Sequence, residues 1–121
     1  MAGNPAFGKR LRALREAKKR TDPSFSLRRF AQAVGISATY LSKVETGEFP
    51  PPAPDRIKKM AQLLGEDPDE LMAVAERLDP ALSEIILEQP KALADFLRTA
   101  HEQKLTGEEI KELTKQIRGK R

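Results

Sequence analysis

The side chains with the most chemical information in this sequence lie between Ser26 and Gly47, in the stretch SLRRFAQAVGISATYLSKVETG. Two short helical patterns meet there at a tight turn, and the second presents a small polar face. Small polar side chains on a helix can exchange hydrogen bonds with base edges and phosphates, whereas the chain offers no nucleophile and base pair for catalysis. The pattern is therefore typical of a unit that reads DNA.

Three residues in this stretch can hold the two helices in place. Ala31 is small enough to let the second helix cross close over the first, Gly35 can adopt the left-handed conformation that ends a helix, and Ser37 can cap the next one. The apolar residues of the stretch are expected to point inward as one cluster, which consists of Phe30, Val34, Ile36, Leu41 and Val44.

The composition excludes several classes of protein. The chain has 121 residues, 39% of them apolar, which suffices for one domain or one domain plus a helical appendage. It has no cysteine and a single histidine, His101, so we expect no disulfide and no metal site. It also has no phosphate-binding loop and no pair of nucleophile and base, so we expect no cofactor and no enzymatic activity. No apolar run approaches the roughly 20 residues of a membrane span, and the first residues lack a signal-peptide core, so a cytoplasmic location is expected.

The net charge of +4 conceals an asymmetry between the two halves of the chain. Residues 1 to 64 carry 13 basic and 5 acidic side chains, whereas residues 65 to 121 carry 9 basic and 13 acidic ones. A basic first half suits a polyanion and an acidic second half does not, so the two halves are expected to have different roles.

Apolar periodicity predicts an all-α chain without a sheet. The first helix is predicted from about Phe7 to Lys19, the second from the Ser26 cap to Gly35, and the third from the Ser37 cap to about Glu45. After the proline-rich loop GEFPPPAP, a fourth helix is predicted from Pro54 or Asp55 to Gly65. A fifth runs from the Asp67 cap to Leu78, with Leu71, Met72, Ala75 and Leu78 buried.

Beyond Leu78, cap and proline signals predict about three short amphipathic helices. We therefore divide the chain into residues 1–78, a DNA-binding domain, and residues 79–121, a C-terminal helical extension. The extension has little to bury its apolar faces against, unless it docks on the first domain, on a second copy or on another protein. The candidate dimerisation residues are Leu82, Ile85, Ile86, Leu93, Phe96 and Leu97.

The stretch from Ser26 to Gly47 resembles the helix-turn-helix of the Cro and phage-repressor type family, also called the xenobiotic-response-element family of bacterial regulators. The resemblance extends back to about Phe7 and forward through PPPAPDRIKKMAQLLGEDPDEL, and it implies a five-helix, lambda-repressor-like domain. The residues that match the family pattern are Ala31, Gly35, Ile36, Ser37, Tyr40, Leu41, Ser42, Val44, Glu45 and Gly47.

The resemblance implies that the helix from Ser37 lies in the major groove of double-stranded DNA. The base-reading residues that it implies are Ala38, Thr39, Ser42 and Lys43, and the backbone contacts that we expect come from Arg10, Arg12, Arg28, Ser37, Tyr40, Thr46 and Lys58. It also implies a structural pair of Arg15 with Glu45. One position departs from the family, because Leu27 stands where many members carry a phosphate-binding Gln.

The resulting prediction is a sequence-specific transcriptional regulator, a repressor acting as a homodimer on the bacterial nucleoid. Two copies are expected because one recognition helix with Ala, Thr and one Lys offers few base contacts. The alternative is an antitoxin-like interaction module, which binds a protein partner through its C-terminal helices and regulates its own gene through the DNA-binding domain.

Overall fold

The computed structural model describes residues 3–121, and this part of the chain is entirely helical. The all-α prediction is therefore confirmed for these residues. A short 3-10 helix, Pro23–Phe25, lies between the first two of the α-helices, which are α1 (Pro5–Lys19), α2 (Leu27–Val34), α3 (Ala38–Glu45), α4 (Pro54–Leu64), α5 (Pro68–Val74), α6 (Pro80–Glu88), α7 (Pro90–Glu102) and α8 (Gly107–Lys120).

The chain divides into two compact units, Met1–Pro80 and Ala81–Arg121. The first unit has a single apolar core to which all five of its α-helices contribute. Each helix presents one apolar stripe to this core, as the sequence periodicity predicts. The core consists of Phe7, Leu11, Phe30, Ala31, Val34, Leu41, Val44, Ile57, Met60, Ala61, Leu64, Leu71, Met72 and Ala75.

Caps and prolines set where the helices begin. The Ser26 and Ser37 hydroxyls accept hydrogen bonds from the Arg29 and Tyr40 amides, at 3.3 and 3.0 Å. Such bonds satisfy amides that have no partner within the helix. A proline occupies the first position of six helical segments in the described part of the chain, which are the 3-10 helix, α1, α4, α5, α6 and α7. Gly35, with a φ of 90°, ends α2 in the left-handed conformation.

The predicted end of the fifth helix is wrong. Helix α5 ends at Val74, and Glu76 adopts a positive φ of 57°, so the chain leaves the helical path before Leu78. Leu78 is 72% exposed instead of buried, although Ala75 does lie in the core. The turn brings the Arg77 guanidinium to within 3.0 Å of the Pro51 carbonyl oxygen, to which it donates a hydrogen bond. The contact between Arg77 and Pro51 thus accompanies the early end of α5, which the local sequence does not predict.

The second unit consists of α6, α7 and α8, and none of its side chains is buried. The three helices make few contacts with one another. Their apolar side chains are exposed on amphipathic faces, as in Leu82 (40%), Ile85 (51%) and Leu97 (51%). Helix α8 begins with a capping box of Thr106 and Glu109. Within residues 3–121, no helix has both the length and the apolarity needed to cross a bilayer.

Candidate nucleic-acid interface

Helix α3 is fixed in the first unit by the side chains on its inner face. Leu41 and Val44 are fully buried in the core, and Ala31 of α2 is buried beside them. Helix α1 crosses so close to the end of α3 that a Cβ on Gly8 would lie 2.6 Å from the Glu45 carbonyl oxygen. A side chain at that position would force the two helices apart, so glycine determines how closely they approach.

A buried ion pair joins the same two helices. The Arg15 Nε donates to Glu45 Oε2 at 2.7 Å, and its Nη2 donates to Glu45 Oε1 at 2.9 Å. Arg15 is 3% exposed and Glu45 is 7% exposed, so neither is a solvated surface charge. The hydrogen bonds to Glu45 raise the pKa of Arg15 above its ordinary value, against the opposing effect of burial. A third donor of Arg15 reaches the Phe25 carbonyl oxygen at 3.1 Å.

The outer face of α3 borders a shallow open depression. We call the set of residues that line this depression the α3 face. It brings together all four side chains that were predicted to read bases, together with one apolar and one acidic neighbour. Its members are Leu27, Ala38, Thr39, Ser42, Lys43 and Glu48. The α3 face therefore presents methyl groups, hydroxyls, one ammonium and one carboxylate at a single surface.

Lys43 is held by two neighbours that lie after the end of α3. Its Nζ is 3.8 Å from Glu48 Oε1 and 5.6 Å from the centre of the Phe49 ring. The Phe49 ring in turn lies 6.0 Å from the Tyr40 ring, centre to centre. Glu48 also accepts a hydrogen bond from the Thr46 hydroxyl at 2.9 Å. The turn after α3 thus supplies partners for Lys43, the one cation of this helix.

A second groove continues from the α3 face towards α1. Leu27 and Ser42 line both depressions, and the second groove adds Arg12 and Thr46 from the predicted backbone contacts. Leu27 is half-buried and packs against the core. Arg28, the next residue along α2, is exposed.

Ser37 and Tyr40, two further residues predicted to contact the DNA backbone, have structural roles at the start of α3. The Ser37 hydroxyl accepts from the Tyr40 amide, so its acceptor capacity is partly used by the cap. The Tyr40 ring is half-buried against the core and Phe49.

Two of the predicted backbone contacts lie in other surroundings. Arg10 pairs with Glu66 at 3.1 Å and borders a small pocket with Asp67 and Glu70, an acidic neighbourhood that repels phosphate. Lys58 pairs with Asp79 at 3.3 Å. Each of the two cations therefore has a carboxylate neighbour in the free protein, and their contact with the DNA backbone stays a prediction.

The acidic charge of the second half is also more localised than its total suggests. Residues 65 to 80 carry six acidic side chains and one basic one, whereas residues 81 to 121 carry seven acidic and eight basic ones. The C-terminal unit is therefore not an acidic tail, and the repulsion of a polyanion is confined to the region around α5.

Sequence reasoning missed four residues that shape this region. Glu48 and Phe49 surround Lys43, but they lie beyond the helix, where periodicity gives no signal. Arg56 donates to the Val34 carbonyl oxygen at 3.0 Å and so completes the end of α2, while Arg77 holds the proline-rich loop. Within residues 3–121, no group of histidine, cysteine or acidic side chains could hold a metal ion.

Comparison with known proteins gives the same picture of the first unit. Residues 6–74 match the helix-turn-helix domain family. Two proteins of Bacillus subtilis (strain 168) are similar to this chain. One, the uncharacterized HTH-type transcriptional regulator RghRB, is 38% identical over 79 residues, covering 65% of this chain and 53% of its own. The other, the HTH-type transcriptional repressor RghR, is 41% identical over 59 residues, covering 49% and 40%.

The chain thus spans about half or less of the length of these curated relatives. No solved structure gives a significant match.

Proposed function

The chain belongs to the helix-turn-helix domain family, and from that premise we propose that it is a sequence-specific DNA-binding transcriptional regulator whose α3 enters the major groove. The α3 face carries this proposal, because the exposed Thr39 and the half-buried Ala38, Ser42 and Lys43 line it while the inner face of the same helix is buried in the core. A helix fixed in this way can present its outer side chains to base edges at a defined depth.

The chemistry of the α3 face suggests which bases it reads. Lys43 can donate to O6 and N7 of guanine, and the methyl groups of Ala38 and Thr39 can contact the methyl group of thymine. Ser42, at the border with the second groove, can bind a base or a phosphate. We therefore expect a half-site that contains both a G·C and an A·T pair.

The phosphate contacts that we propose come from both sides of the α3 face. Arg28 is exposed at the start of α2, where the free amides of a helix N-terminus also favour an anion. Arg12 and Thr46 border the second groove. Such contacts fix the position of the protein on the duplex and contribute affinity that is independent of sequence.

Selection of bound fragments from random DNA by the full chain tests this function. A consensus would give the half-site and its spacing, whereas the absence of enrichment over random sequence would refute the proposal. Lys43→Ala should then cost about 1–3 kcal/mol on the selected site and leave random DNA binding unchanged. Arg28→Ala should weaken both and reduce the salt slope by about one. Equal losses for the two variants on both sequences would contradict this division of roles.

We further propose that the chain acts as a homodimer through residues 81–121. Four of its candidate dimerisation side chains are 40% or more exposed (Leu82, Ile85, Phe96 and Leu97), and Ile86 and Leu93 are half-buried. Isolated helices shorter than about 12–15 residues are marginal in water, and α6, α7 and α8 have 9, 13 and 14 residues. A partner that covers their apolar faces would supply the missing burial.

The charge pattern of α8 favours a second copy as that partner. The first half of α8 contains Glu108, Glu109 and Glu112 with one lysine, and the second half contains three cations, Lys115, Arg118 and Lys120. Its exposed apolar stripe consists of Ile110, Leu113 and Ile117. Two copies of α8 in antiparallel orientation would bring apolar residues together and place each acidic half beside a basic half.

Sedimentation equilibrium of the purified full chain tests the dimer. We expect a dimer at tens of micromolar, a monomer for Ile117→Glu, and a dimer for the control Gln116→Glu, which adds the same charge beside the stripe. A monomer for the unmodified chain, both free and on DNA, would contradict the proposal. A monomer that forms a stoichiometric complex with a second protein of its host would instead support the antitoxin-like alternative.

Repression is the output that we propose. A dimer bound over a promoter blocks access to it, and one of the similar proteins is named as a repressor. A reporter gene behind the selected site should be expressed less when the chain is present. Increased expression would contradict repression without affecting the DNA-binding proposal.

A further inference from the structure

Glu48 places a negative charge on a surface that is otherwise suited to a polyanion. Its side chain is 60% exposed and borders the α3 face beside Thr39, Ser42 and Lys43. A carboxylate at this place repels phosphates, so it weakens the sequence-independent part of DNA binding. The effect of Glu48 on the affinity for DNA is therefore unfavourable. A favourable role for Glu48 must lie in the discrimination between DNA sequences.

The contacts of Glu48 restrict Lys43, the one cation of the α3 face. Lysine has a flexible side chain that binds any nearby phosphate as a point charge. Here Glu48 lies on one side of the ammonium, at 3.8 Å, and the Phe49 ring lies 5.6 Å away. Glu48 is itself held by the Thr46 hydroxyl, and Phe49 is held by Tyr40. These linked contacts keep the Lys43 ammonium over the α3 face.

On the basis of the proposed function, we propose that Glu48 is a specificity-determining positioning residue that withholds Lys43 from phosphates and directs it to guanine. If Lys43 contacted a phosphate, its ammonium would exchange one anionic partner, the Glu48 carboxylate, for another. The net gain in binding free energy would therefore be small. The guanine edge offers two acceptors, O6 and N7, to an ammonium that borders the α3 face. The contribution of Lys43 to the free energy of DNA binding is then favourable on the correct base pair and close to zero on other sequences.

The test compares Glu48→Gln with Glu70→Gln in the full chain, by anisotropy of labelled duplexes over a range of salt concentrations. Both variants remove one negative charge from an exposed glutamate of the first unit, but Glu70 lies on α5. For Glu48→Gln, we expect random-duplex affinity to rise about threefold to fivefold, as the loss of a surface ion pair allows. The salt slope should steepen by about 0.9, because Lys43 then neutralises one more phosphate. Affinity for the selected site should change less, so the specificity ratio falls.

The Lys43→Gln background shows whether Glu48 acts through Lys43. In that background, Glu48→Gln should leave the salt slope unchanged, since no ammonium is released. The inference is overturned if Glu48→Gln equals Glu70→Gln, or if its effect on the slope persists without Lys43. An unmodified chain that distinguishes no sequence would refute the proposed function itself, and this inference with it.

Discussion

The buried pair of Arg15 and Glu45 should contribute more to the stability of the first unit than any exposed pair. Glu45→Gln keeps the volume of the side chain but removes its charge and one of its two acceptor oxygens. Arg15, which is 3% exposed, would then lose its buried counter-charge and keep only the partly exposed Glu16 carboxylate, 3.5 Å from its Nη2. Removing one partner of such a pair typically costs about 3–5 kcal/mol. A unit of this size has a total stability of roughly 4–12 kcal/mol, so the loss would be a large share of it.

Urea titration followed by tyrosine fluorescence measures this loss. Tyr40 is the only tyrosine and the chain has no tryptophan, so the signal reports the first unit alone. The control is Glu66→Gln, which breaks the exposed pair with Arg10 and should cost about 1 kcal/mol or less. The double variant Arg15→Met, Glu45→Leu should recover most of the loss, because it leaves no buried charge without a partner. A loss for Glu45→Gln no larger than that for Glu66→Gln would refute the reasoning.

Three further predictions concern single contacts. Gly8→Ala should destabilise the first unit by about 1–3 kcal/mol through overpacking against the carbonyl oxygens of α3. Urea titration followed by the Tyr40 signal checks this, and an unchanged free energy of unfolding would contradict it. Thr106→Ala should cost about 1 kcal/mol of α8 stability through loss of its cap, measured as faster amide exchange in the first turn of α8. Asp22 should titrate below its ordinary pKa of 3.8, because the hydroxyl and amide of the serine two residues later donate to its carboxylate. Its contribution to stability is therefore present above that ordinary pKa and is lost as the pH falls through the lowered value. A carboxyl carbon titration by NMR at or above 3.8 would contradict it.

Local signals in the sequence were sufficient to predict most of the first unit. The serine caps of α2 and α3 and the glycine after α2 mark the boundaries of these helices. Each serine accepts a hydrogen bond from an amide three residues later, and the glycine ends α2 in the left-handed conformation. Apolar periodicity likewise predicted the inner face of each helix. These features depend on neighbours in sequence, so a single sequence contains them in full.

The features that could not be predicted depend on contacts between distant segments. The α5 helix ends early where Arg77 reaches Pro51, 26 residues away in sequence. Arg10 donates a hydrogen bond to Glu66, 56 residues away in sequence. Glu48 follows α3 in a turn without periodicity, so its contact with Lys43 requires the folded path of the chain. Charged side chains have long reach, and several partners satisfy them equally well until the backbone is fixed.

The prolines at the starts of six helical segments separate one helix from the preceding segment at fixed positions in the chain. The residue before a proline is disfavoured in the helical conformation, so such a helix cannot grow backwards into its neighbour. Only Gln89 separates α6 from α7, and without Pro90 the two could form one helix of 23 residues, about 34 Å long. Pro90 instead keeps them as two short rods, each free to present its apolar face in its own direction. The C-terminal unit can therefore offer a broad surface instead of a single narrow seam.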